Sequence, residues 1–377
     1  MYLIAEVGSS HGGSLDSAER LVDEIRAAGF DCAKFQWIIA DEILHPDTGV
    51  VELPGGGVSL YDRFRALERS PDFYAKLKGL CDERGIDFLC TAFGPASLQM
   101  LRELGVSAIK IASPELNYIS LLRLAAEANT PLFVSTGVST LSDIAEAAAT
   151  LDPAEDVTFL HCVTSYPSPE ADYNLDVLTP LSTVTGRRWG VSDHTTDPLA
   201  VPLVSAALGA AALEKHVTLS NDGGGLDDPI ALSPGDFRLM VSRVRALTGN
   251  SRTADAGDSM QDQSAKITQS GAFDHSRQLR EVEKMLGPDR VRAIRGDGVK
   301  RLAPAERGNY GRTNRSILAR ERIQEGEEIT ADRICIVRSE RELTPGVHPR
   351  YSDLVTGATA RRTIETGEGI RWDALIR

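Results

Sequence analysis

Several features are scarce in this chain of 377 residues, and each scarcity argues against a class of protein. The five cysteines are odd in number and form no CxxC pair, so we expect reduced thiols and a cytoplasmic protein. Acidic residues outnumber basic ones by 54 to 41, and a net charge of -13 argues against a nucleic-acid or anionic-membrane partner. No apolar stretch approaches the ~20 residues of a membrane helix, and the N-terminus lacks the pattern of a signal peptide.

The chain instead alternates short apolar runs with amphipathic segments as far as about residue 247. Apolar residues recur in those segments at three and four positions, which is typical of surface helices. Eight nearly continuous apolar runs between them read as buried parallel strands. The candidate strands are 2–8, 31–36, 87–93, 108–113, 131–137, 157–163, 189–194 and 213–219. Eight strands, each followed by a helix, predict a (β/α)8 TIM barrel over residues 1–248.

A doubly wound open sheet is the competing α/β architecture. Such a sheet usually carries a GxGxxG turn after its first strand when it binds a dinucleotide, and GSSHGGS lacks that spacing. The barrel is therefore the favoured fold.

Two further segments follow the barrel. Residues 249–311 are predicted to be a polar insertion and linker, because the sequence loses its apolar periodicity from about residue 249. Residues 312–377 contain two similar strand, turn and strand arrangements and predict a small β-rich domain. About sixty residues bury little core alone, so we expect this domain to dock on another surface.

Every candidate barrel strand ends in polar residues. The carboxyl ends of barrel strands form the catalytic face, so these side chains should meet there. They are Glu6, Lys34, Gln36, Thr91, Lys110, Ser113, Glu115, Ser135, Thr164, Tyr166, Ser192, His194 and His216.

Lys34 and Lys110 are embedded in apolar strand sequence, where an ammonium group is costly without an anionic partner or water. With nearby hydroxyl donors, the two lysines suit a small anion that carries phosphate and carboxylate. The structural alternative is a buried ion network in which the lysines pair with Glu6 and Glu115.

His194 and His216 end two strands that are neighbours in a closed barrel. Two imidazoles so placed can share one divalent ion, with Glu115 or water as further ligands. An acid and base pair without metal is the other functional interpretation. His11, in a loop after the first strand, is a further candidate for the active face.

Seven segments, in this order and spacing, resemble the N-acetylneuraminate (sialic acid) synthase family. They are AEVGSSHGGSLDSAERLVDEIRAAGFDCAKFQ, FLCTAFG, IKIASPEL, STGVSTLSDI, LHCVTSYPSP, SDHTTD and LEKHVTL. The tail from about Asn314 resembles that family's antifreeze-like (SAF) domain. The resemblance covers the chain except the polar stretch near 249–290.

The resemblance implies condensation of phosphoenolpyruvate with an aldose, usually an N-acyl hexosamine, to a 2-keto-3-deoxy acid and phosphate. It implies a divalent cofactor, Mn²⁺ with Mg²⁺ or Co²⁺ as alternatives, held by His194 and His216. It also implies a homodimer in which the antifreeze-like domain closes the partner's active site. The implied phosphoenolpyruvate contacts are Lys34, Thr91, Lys110, Ser113, Ser135, Thr164 and Ser192. The implied sugar-side residues are Gln36, Tyr166, Asp227 and Arg315, with Glu6 and Glu115 as catalytic acids.

The sequence departs from the family on the sugar side. The family commonly has asparagine at Ser10 and PGPD where this chain has GGLD at 224–227. These departures leave the acceptor open, and a different aldehyde of specialised metabolism is an alternative. A non-catalytic sugar-binding protein on the same fold is another, although it would be expected to lose Lys34, Lys110, His194 or His216.

Overall fold

A computed structural model describes residues 1–53, 56–249 and 275–376. Fourteen strands within these residues are numbered in chain order. They are β1 Tyr2–Gly8, β2 Cys32–Gln36, β3 Val50–Leu53, β4 Gly56–Ser59, β5 Asp87–Ala92, β6 Ile109–Ile111, β7 Leu132–Ser135, β8 Val157–Cys162, β9 Arg188–Asp193, β10 Ala212–His216, β11 Arg315–Ala319, β12 Ile334–Arg338, β13 Thr359–Ala360 and β14 Leu375–Ile376.

The helices described in the same residues are numbered in the same way. They are α1 Leu15–Ala28, α2 Ala40–Ile43, α3 Leu60–Leu67, α4 Pro71–Arg84, α5 Pro95–Leu104, α6 Ile119–Ala126, α7 Leu141–Thr150, α8 Leu178–Thr185, α9 Ala200–Ala207, α10 Pro234–Thr248, α11 His275–Leu286, α12 Pro288–Arg295 and α13 Ser352–Val355. None of these helices is long and apolar enough to span a bilayer.

Eight parallel strands close into a barrel in the order β1-β10-β9-β8-β7-β6-β5-β2. This confirms the predicted TIM barrel, and each of the eight candidate strands coincides with a barrel strand to within a few residues. The β3–β4 hairpin is inserted after β2 and pairs only within itself.

The helix α1 illustrates why the surrounding segments are helical. Ser14 caps its first turn by accepting a hydrogen bond from the Ser17 N–H. Leu21, Val22 and Ile25 recur at helical spacing and are buried against the barrel. The helix ends at Gly29, whose φ of 91° is left-handed and costs a glycine little.

The barrel interior has an apolar lower layer and a polar upper layer. Side chains along a strand point alternately inward and outward, so residues two apart share a face. Tyr2 and Ile4 of β1 belong to the apolar layer, together with Leu160 and Ala212 of other strands. Glu6 follows on the same inward face one step nearer the carboxyl end. The alternation therefore places polar side chains at the catalytic end of the barrel.

The segment 275–311 is not the free linker predicted from its polar composition. The helices α11 and α12 pack on the barrel through α9 and bury Val282, Val291 and Ile294 in the main core. The prediction was wrong here because the apolar residues of α11 are few but lie on one helical face. The rest of the predicted insertion, residues 250–274, lies outside the described residues.

The C-terminal region, residues 312–376, forms a compact β structure, as predicted. The strands β11 and β12 pair antiparallel, as do β13 and β14. Its small core includes Ile317, Ile329 and Ile364. The region docks over the carboxyl end of the barrel, where the Asn117 side chain exchanges two hydrogen bonds with the Arg315 backbone.

Candidate active site

A cavity of about 240 Å³ opens at the carboxyl ends of the barrel strands, beneath the C-terminal region. Most of the residues predicted from strand ends line it. The lining residues are Glu6, Lys34, Gln36, Phe64, Thr91, Phe93, Lys110, Ala112, Ser113, Pro114, Ser135, Cys162, Thr164, Tyr166, Ser192, His194, Glu214, His216, Leu226, Asp227, Thr313 and Arg338. The exceptions among the predicted residues are Glu115, Arg315 and the further candidate His11.

Lys34 lies at the centre of a buried charge cluster. Its Nζ is 3.1 Å from a carboxylate oxygen of Glu6 and 2.8 Å from one of Glu214. Glu214 also accepts a hydrogen bond from the Ser192 hydroxyl at 2.9 Å, and Glu6 accepts one from Gln36 at 2.5 Å. The predicted ion network therefore forms with Glu6, whereas Glu115 takes no part in it.

Burial and neighbouring charge give the two carboxyl groups of this cluster different pKa values. Burial raises the pKa of Glu6 to about 7, against the opposing effect of Lys34. Burial also acts to raise the pKa of Glu214, but Lys34 and Lys110 outweigh it and lower that pKa to about 2. Glu214 is thus a fixed anion, and Glu6 can exchange a proton near neutral pH.

Lys110 lies on β6, two strands from Lys34 in the barrel, and has few counter-charges. Its Nζ donates to the Ser135 hydroxyl at 2.7 Å and to the Ile111 carbonyl at 2.8 Å. Burial lowers its pKa to about 8, and Glu214 only partly offsets this. The hydroxyls of Thr91 and Thr164, which face the same cavity, have no hydrogen-bond partner among the described residues. A bound anion would satisfy these buried donors.

Three strand ends meet tightly beside Lys110. The Gly137 N–H donates to the Ser113 hydroxyl at 3.0 Å. A Cβ at Gly137 would lie 2.1 Å from the Thr164 hydroxyl oxygen and 2.9 Å from that of Ser113. Only glycine fits this contact, so the Ser113 and Thr164 hydroxyls, which follow β6 and β8, both lie against the Gly137 backbone that follows β7.

His194 and His216 lie together, as predicted, with ring centroids 5.4 Å apart. Tyr166 stacks on His194 at 4.2 Å, and an Asp227 carboxylate oxygen is 3.7 Å from His216 Nδ1. The Val163 carbonyl is 2.9 Å from His194 Nδ1. A proton on Nδ1 can satisfy that carbonyl, which leaves the Nε2 lone pair for a ligand.

The donor atoms of this pair suit a divalent cation. Imidazole nitrogen with a neighbouring carboxylate is a ligand set for Mn²⁺, Co²⁺ or Zn²⁺. Burial lowers the pKa of His216 well below its usual value and so keeps its imidazole neutral. Burial acts to lower the pKa of His194, but the effect of the Cys162 sulfur outweighs that of burial and raises the pKa to about 9. A proton and a cation would therefore compete for the His194 imidazole. Within the described ranges, no group of three or more His, Cys, Asp or Glu has a metal-binding arrangement, so water or substrate would complete the coordination.

Glu115 and Arg315 are placed differently from the predicted roles. Both are buried outside the cavity wall, with Arg315 Nη2 2.8 Å from Glu115 Oε1. Arg315 also donates to the Phe93 carbonyl at 2.7 Å. Arg338 shares the same Glu115 oxygen at 2.8 Å, and this arginine does line the cavity. The C-terminal region therefore presents Arg338 to the cavity, and Arg315 joins the two domains.

Two charged cavity residues, Glu214 and Arg338, were missed from the sequence, and one signal could have found Glu214. It precedes His216 by two positions on β10, so strand alternation gives both side chains the same face. Arg338 has no comparable signal, because only domain docking brings it to the barrel.

Two further polar residues do not line the cavity. Asp193, next to His194 in sequence, faces outward and pairs with Lys215 at 2.7 Å. His11 is buried against Phe35 and Phe73 and does not line the cavity.

The sugar-side departures form one structural unit. The Ser10 hydroxyl donates to an Asp228 carboxylate oxygen at 2.6 Å, and the other Asp228 oxygen accepts the Gly225 N–H at 2.7 Å. The Leu226 N–H donates to the Ser9 hydroxyl at 3.0 Å. These contacts join the loops after β1 and β10 and bring Leu226 to the cavity wall.

Comparison with known proteins identifies the family of the chain. A model of the NeuB family matches residues 21–254, and a model of the SAF domain matches residues 314–376. The chain is 31% identical to the spore coat polysaccharide biosynthesis protein SpsE of Bacillus subtilis (strain 168), over 100% of this chain and 94% of the relative. It is also 31% identical to the N,N'-diacetyllegionaminic acid synthase of Legionella pneumophila, over 65% of this chain and 71% of that protein.

Solved structures give the same relationship. The crystal structure of Bacillus subtilis SpsE aligns with a TM-score of 0.78 at 29% identity and covers 100% of this chain and 95% of that one. The N-acetylneuraminic acid synthetase of Leptospira borgpetersenii, solved in complex with citrate, aligns with a TM-score of 0.60 at 28% identity, over 72% of this chain and 91% of that one. The chain belongs to the NeuB family, carries a C-terminal SAF domain, and is an enzyme of the sialic acid synthase type.

Proposed function

We propose that this enzyme condenses phosphoenolpyruvate with an unphosphorylated aldose to give a 2-keto-3-deoxy acid of the nonulosonic type and inorganic phosphate. The observation that carries the proposal is one cavity that combines Lys34 and Lys110 with a pair of histidines. Two ammonium groups with adjacent hydroxyls suit a phosphate and a carboxylate on one small molecule. A non-catalytic binding protein would have no need to keep both features.

Phosphoenolpyruvate is assigned to the Lys110 side of the cavity. There the Ser113, Ser135 and Thr164 hydroxyls converge, and Thr91 and Ser192 extend the donor set towards Lys34. The Thr91 and Thr164 hydroxyls without partners support this placement, because an anion supplies the acceptors that the chain does not.

Mn²⁺, or a similar divalent ion, is assigned to His194 and His216. Bound there, such an ion supplies Lewis acid polarisation of the acceptor aldehyde. The Tyr166 ring stacked on His194 restricts the imidazole orientation, and Asp227 lies beside His216 on the same side. Both neighbours support a fixed ligand pair at the sugar end of the cavity.

Glu6 is the group suited to proton transfer. Carbon 3 of phosphoenolpyruvate attacks the aldehyde carbon, and the new alkoxide takes up a proton. Water then adds at carbon 2 and loses a proton, and cleavage of the carbon–oxygen bond releases phosphate. A carboxyl group with a pKa of about 7 can move such a proton at neutral pH. Glu115 is not suited, because Arg315 and Arg338 hold it outside the cavity.

The acceptor side favours a sugar without a phosphate group. The cavity residues assigned to the sugar are Gln36, Tyr166, Asp227 and Arg338. Arg338 is the cation among them, and Glu115 already compensates its charge at 2.8 Å. A second phosphate would therefore meet a carboxylate and a neutralised guanidinium, which disfavours a phosphorylated pentose or tetrose. The Leu226 loop, where the sequence departs from the family, lines the cavity and supports an acceptor other than N-acetylmannosamine.

We also propose a homodimer that exchanges its C-terminal regions, in the cytoplasm. The small core of residues 312–376 and its polar attachment through Glu115 support docking that can form between chains as well as within one. The five free, buried cysteines support a reducing compartment.

The test of the proposed reaction is phosphate release from phosphoenolpyruvate with Mn²⁺ across a panel of aldoses. The panel should pair N-acetylated hexosamines with their 6-phosphates and should add 6-deoxy diacetamido hexoses, which have no 6-hydroxyl to phosphorylate, and mass spectrometry should identify the product. We expect release with an unphosphorylated sugar and a product heavier than it by one pyruvate unit. Release with no aldose in the panel, or only with phosphorylated ones, would contradict the proposal.

A further inference from the structure

Glu306 lies outside the cavity, in the segment that joins α12 to the C-terminal region, yet its side chain reaches two barrel loops. It is almost fully buried, with 1% of its surface exposed. One carboxylate oxygen accepts the Val138 N–H and the Thr164 N–H, each at 2.7 Å. These N–H groups belong to the loops after β7 and β8. A residue that follows the barrel in sequence therefore ties together two loops of the anion-binding wall.

Val138 has an unusual backbone conformation. Its φ of 43° lies in the left-handed region, which is unfavourable for a β-branched residue. Such a conformation persists only where the surroundings hold it. Here the Val138 N–H is held by Glu306, and its carbonyl accepts the Asn314 amide at 3.0 Å. Glu306 lies in the segment that leads into the C-terminal region, and Asn314 lies at the start of that region.

The strained residue directly follows the groups assigned to phosphoenolpyruvate. Ser135 bonds Lys110, and the Gly137 N–H bonds the Ser113 hydroxyl at 3.0 Å. Gly137 in turn lies in close contact with the Thr164 hydroxyl. A change of backbone conformation at Val138 would move Gly137 and disperse the hydroxyls that surround Lys110.

We propose that Glu306 is a positioning residue for phosphoenolpyruvate, which holds the β7 loop in its strained form so that the Ser113, Ser135 and Thr164 hydroxyls converge on the anion. The inference rests on the proposed function for the identity of that anion. It adds that the segment before the C-terminal region assembles the phosphoenolpyruvate half of the site and not the sugar half.

The first test compares Glu306→Ala with the milder Glu306→Gln, which keeps an acceptor oxygen. We expect Glu306→Ala to raise KM for phosphoenolpyruvate about tenfold, as for loss of hydrogen bonds to a charged group. Glu306→Gln should fall between this variant and the unchanged enzyme. The acceptor KM should stay within about twofold, because Gln36 lies on β2 and Asp227 in the loop after β10, and the hydrogen bonds of Glu306 to the barrel go to the loops after β7 and β8.

The matched control is Asp172→Ala. Asp172 accepts the Ala305 N–H at 3.0 Å, so it stabilises the same turn as Glu306 without touching Val138. We expect unchanged KM for phosphoenolpyruvate in this variant. An equal rise in both variants, or equal rises in both substrate KM values, would mean that general loosening of the turn explains the effect and would overturn the inference.

The Val138→Gly variant tests the backbone strain directly, and it allows the proposal to be tested even if Glu306→Ala is unstable. Glycine adopts positive φ readily, so Val138→Gly should need less support from Glu306. We expect Glu306→Gln to raise KM for phosphoenolpyruvate less in a Val138→Gly background than alone, with thermal unfolding checked for each protein. An identical rise in both backgrounds would overturn the proposal. If the unchanged enzyme releases no phosphate with any aldose, the proposed function fails instead, and the two failures are thereby distinguished.

Discussion

Lys34 and Glu214 form a buried ion pair, with 2.8 Å between Nζ and Oε2, at the floor of the cavity. Glu214 is the stronger acid of the two carboxyl groups around Lys34, because the two lysines lower its pKa to about 2. An anion that binds Lys34 must therefore share it with a permanent negative charge. The pair sets how strongly this lysine can attract a substrate.

Replacing either lysine should weaken phosphoenolpyruvate binding. Lys34→Met and Lys110→Met each remove a charge-assisted contact worth about 2 kcal/mol, and we expect Kd to rise about 30-fold. Calorimetric titration with phosphoenolpyruvate measures this without turnover. Lys76→Met is the matched control, since Lys76 is exposed and pairs only with Asp72 on the same helix. Unchanged affinity in both cavity variants would place the anion site elsewhere.

Removing the negative charge of Glu214 should have the opposite effect. Glu214→Gln keeps an oxygen for the Ser192 hydroxyl but no longer neutralises Lys34. We expect phosphoenolpyruvate to bind several-fold more tightly, because the local potential becomes more positive. The same titration measures the change. Weaker binding would show that Glu214 chiefly orients Lys34, and that its charge is not a competitor of the substrate.

The barrel and most of its site could be predicted because both depend on local sequence. Buried parallel strands read as apolar runs, and a polar residue at the end of such a run, such as Lys110, already indicates the catalytic face. Glu214 follows the same rule, because it lies two positions before His216 on β10 and therefore shares its inward face. These residues can be predicted from the local sequence without information about distant segments.

Contacts between distant segments could not be predicted in this way. Arg338 reaches the cavity and Glu306 reaches Val138, 168 residues away in sequence, because of how the C-terminal part docks. The periodicity of apolar residues along the sequence gives no indication of how the C-terminal region docks on the barrel. The helix α11 was overlooked for a related reason, since its few apolar residues gain meaning only against α9.

Phosphoenolpyruvate affinity should fall as pH rises through about 8. Lys110 has a pKa of about 8 because of burial, so its ammonium is charged below that pH and neutral above it. Glu6, Glu214 and Lys34 face the same cavity, and ionisation of Glu6 near pH 7 adds a separate, earlier decline. Lys110→Arg stays charged across this range and should remove only the decline near pH 8. Titrations at pH 6 to 9.5 measure both steps.

The contribution of Lys110 to folding stability should change with pH in the opposite direction to phosphoenolpyruvate affinity. Its folded pKa of about 8 is lower than the unfolded value near 10.4, so the unfolded chain binds more protons between these values. Stability from this group therefore rises with pH in that window while anion affinity falls. Denaturant unfolding at pH 7.5 and 10 should show a smaller rise in Lys110→Met. An affinity and a stability that change together would argue against this residue as the titrating group.

The histidine pair should determine metal binding. His194→Ala and His216→Ala should each lose Mn²⁺ binding, which electron paramagnetic resonance of the free ion measures. Both variants should keep the fold, because both side chains lie at the barrel mouth. His348→Ala is the control, since that imidazole accepts the Arg350 N–H in the C-terminal region, far in sequence from the pair. Full Mn²⁺ binding in either cavity variant would remove the metal assignment.

The last prediction concerns the C-terminal region and whether it acts within its own chain or on a partner. Arg338 enters the cavity from this region, and Glu115 of the barrel holds it. Arg338→Ala should be inactive because the sugar wall loses its cation, and His194→Ala because the metal site loses a ligand. If the regions are exchanged in a homodimer, a mixed dimer has one site with both defects and one with neither, so mixing the two inactive proteins should restore part of the activity. A mixture of Arg338→Ala with Lys110→Met, which binds phosphoenolpyruvate weakly, should gain activity in the same way at a limiting phosphoenolpyruvate concentration, which makes the result independent of metal. If subunit exchange is demonstrated by native mass spectrometry and no activity returns, each C-terminal region closes the barrel of its own chain.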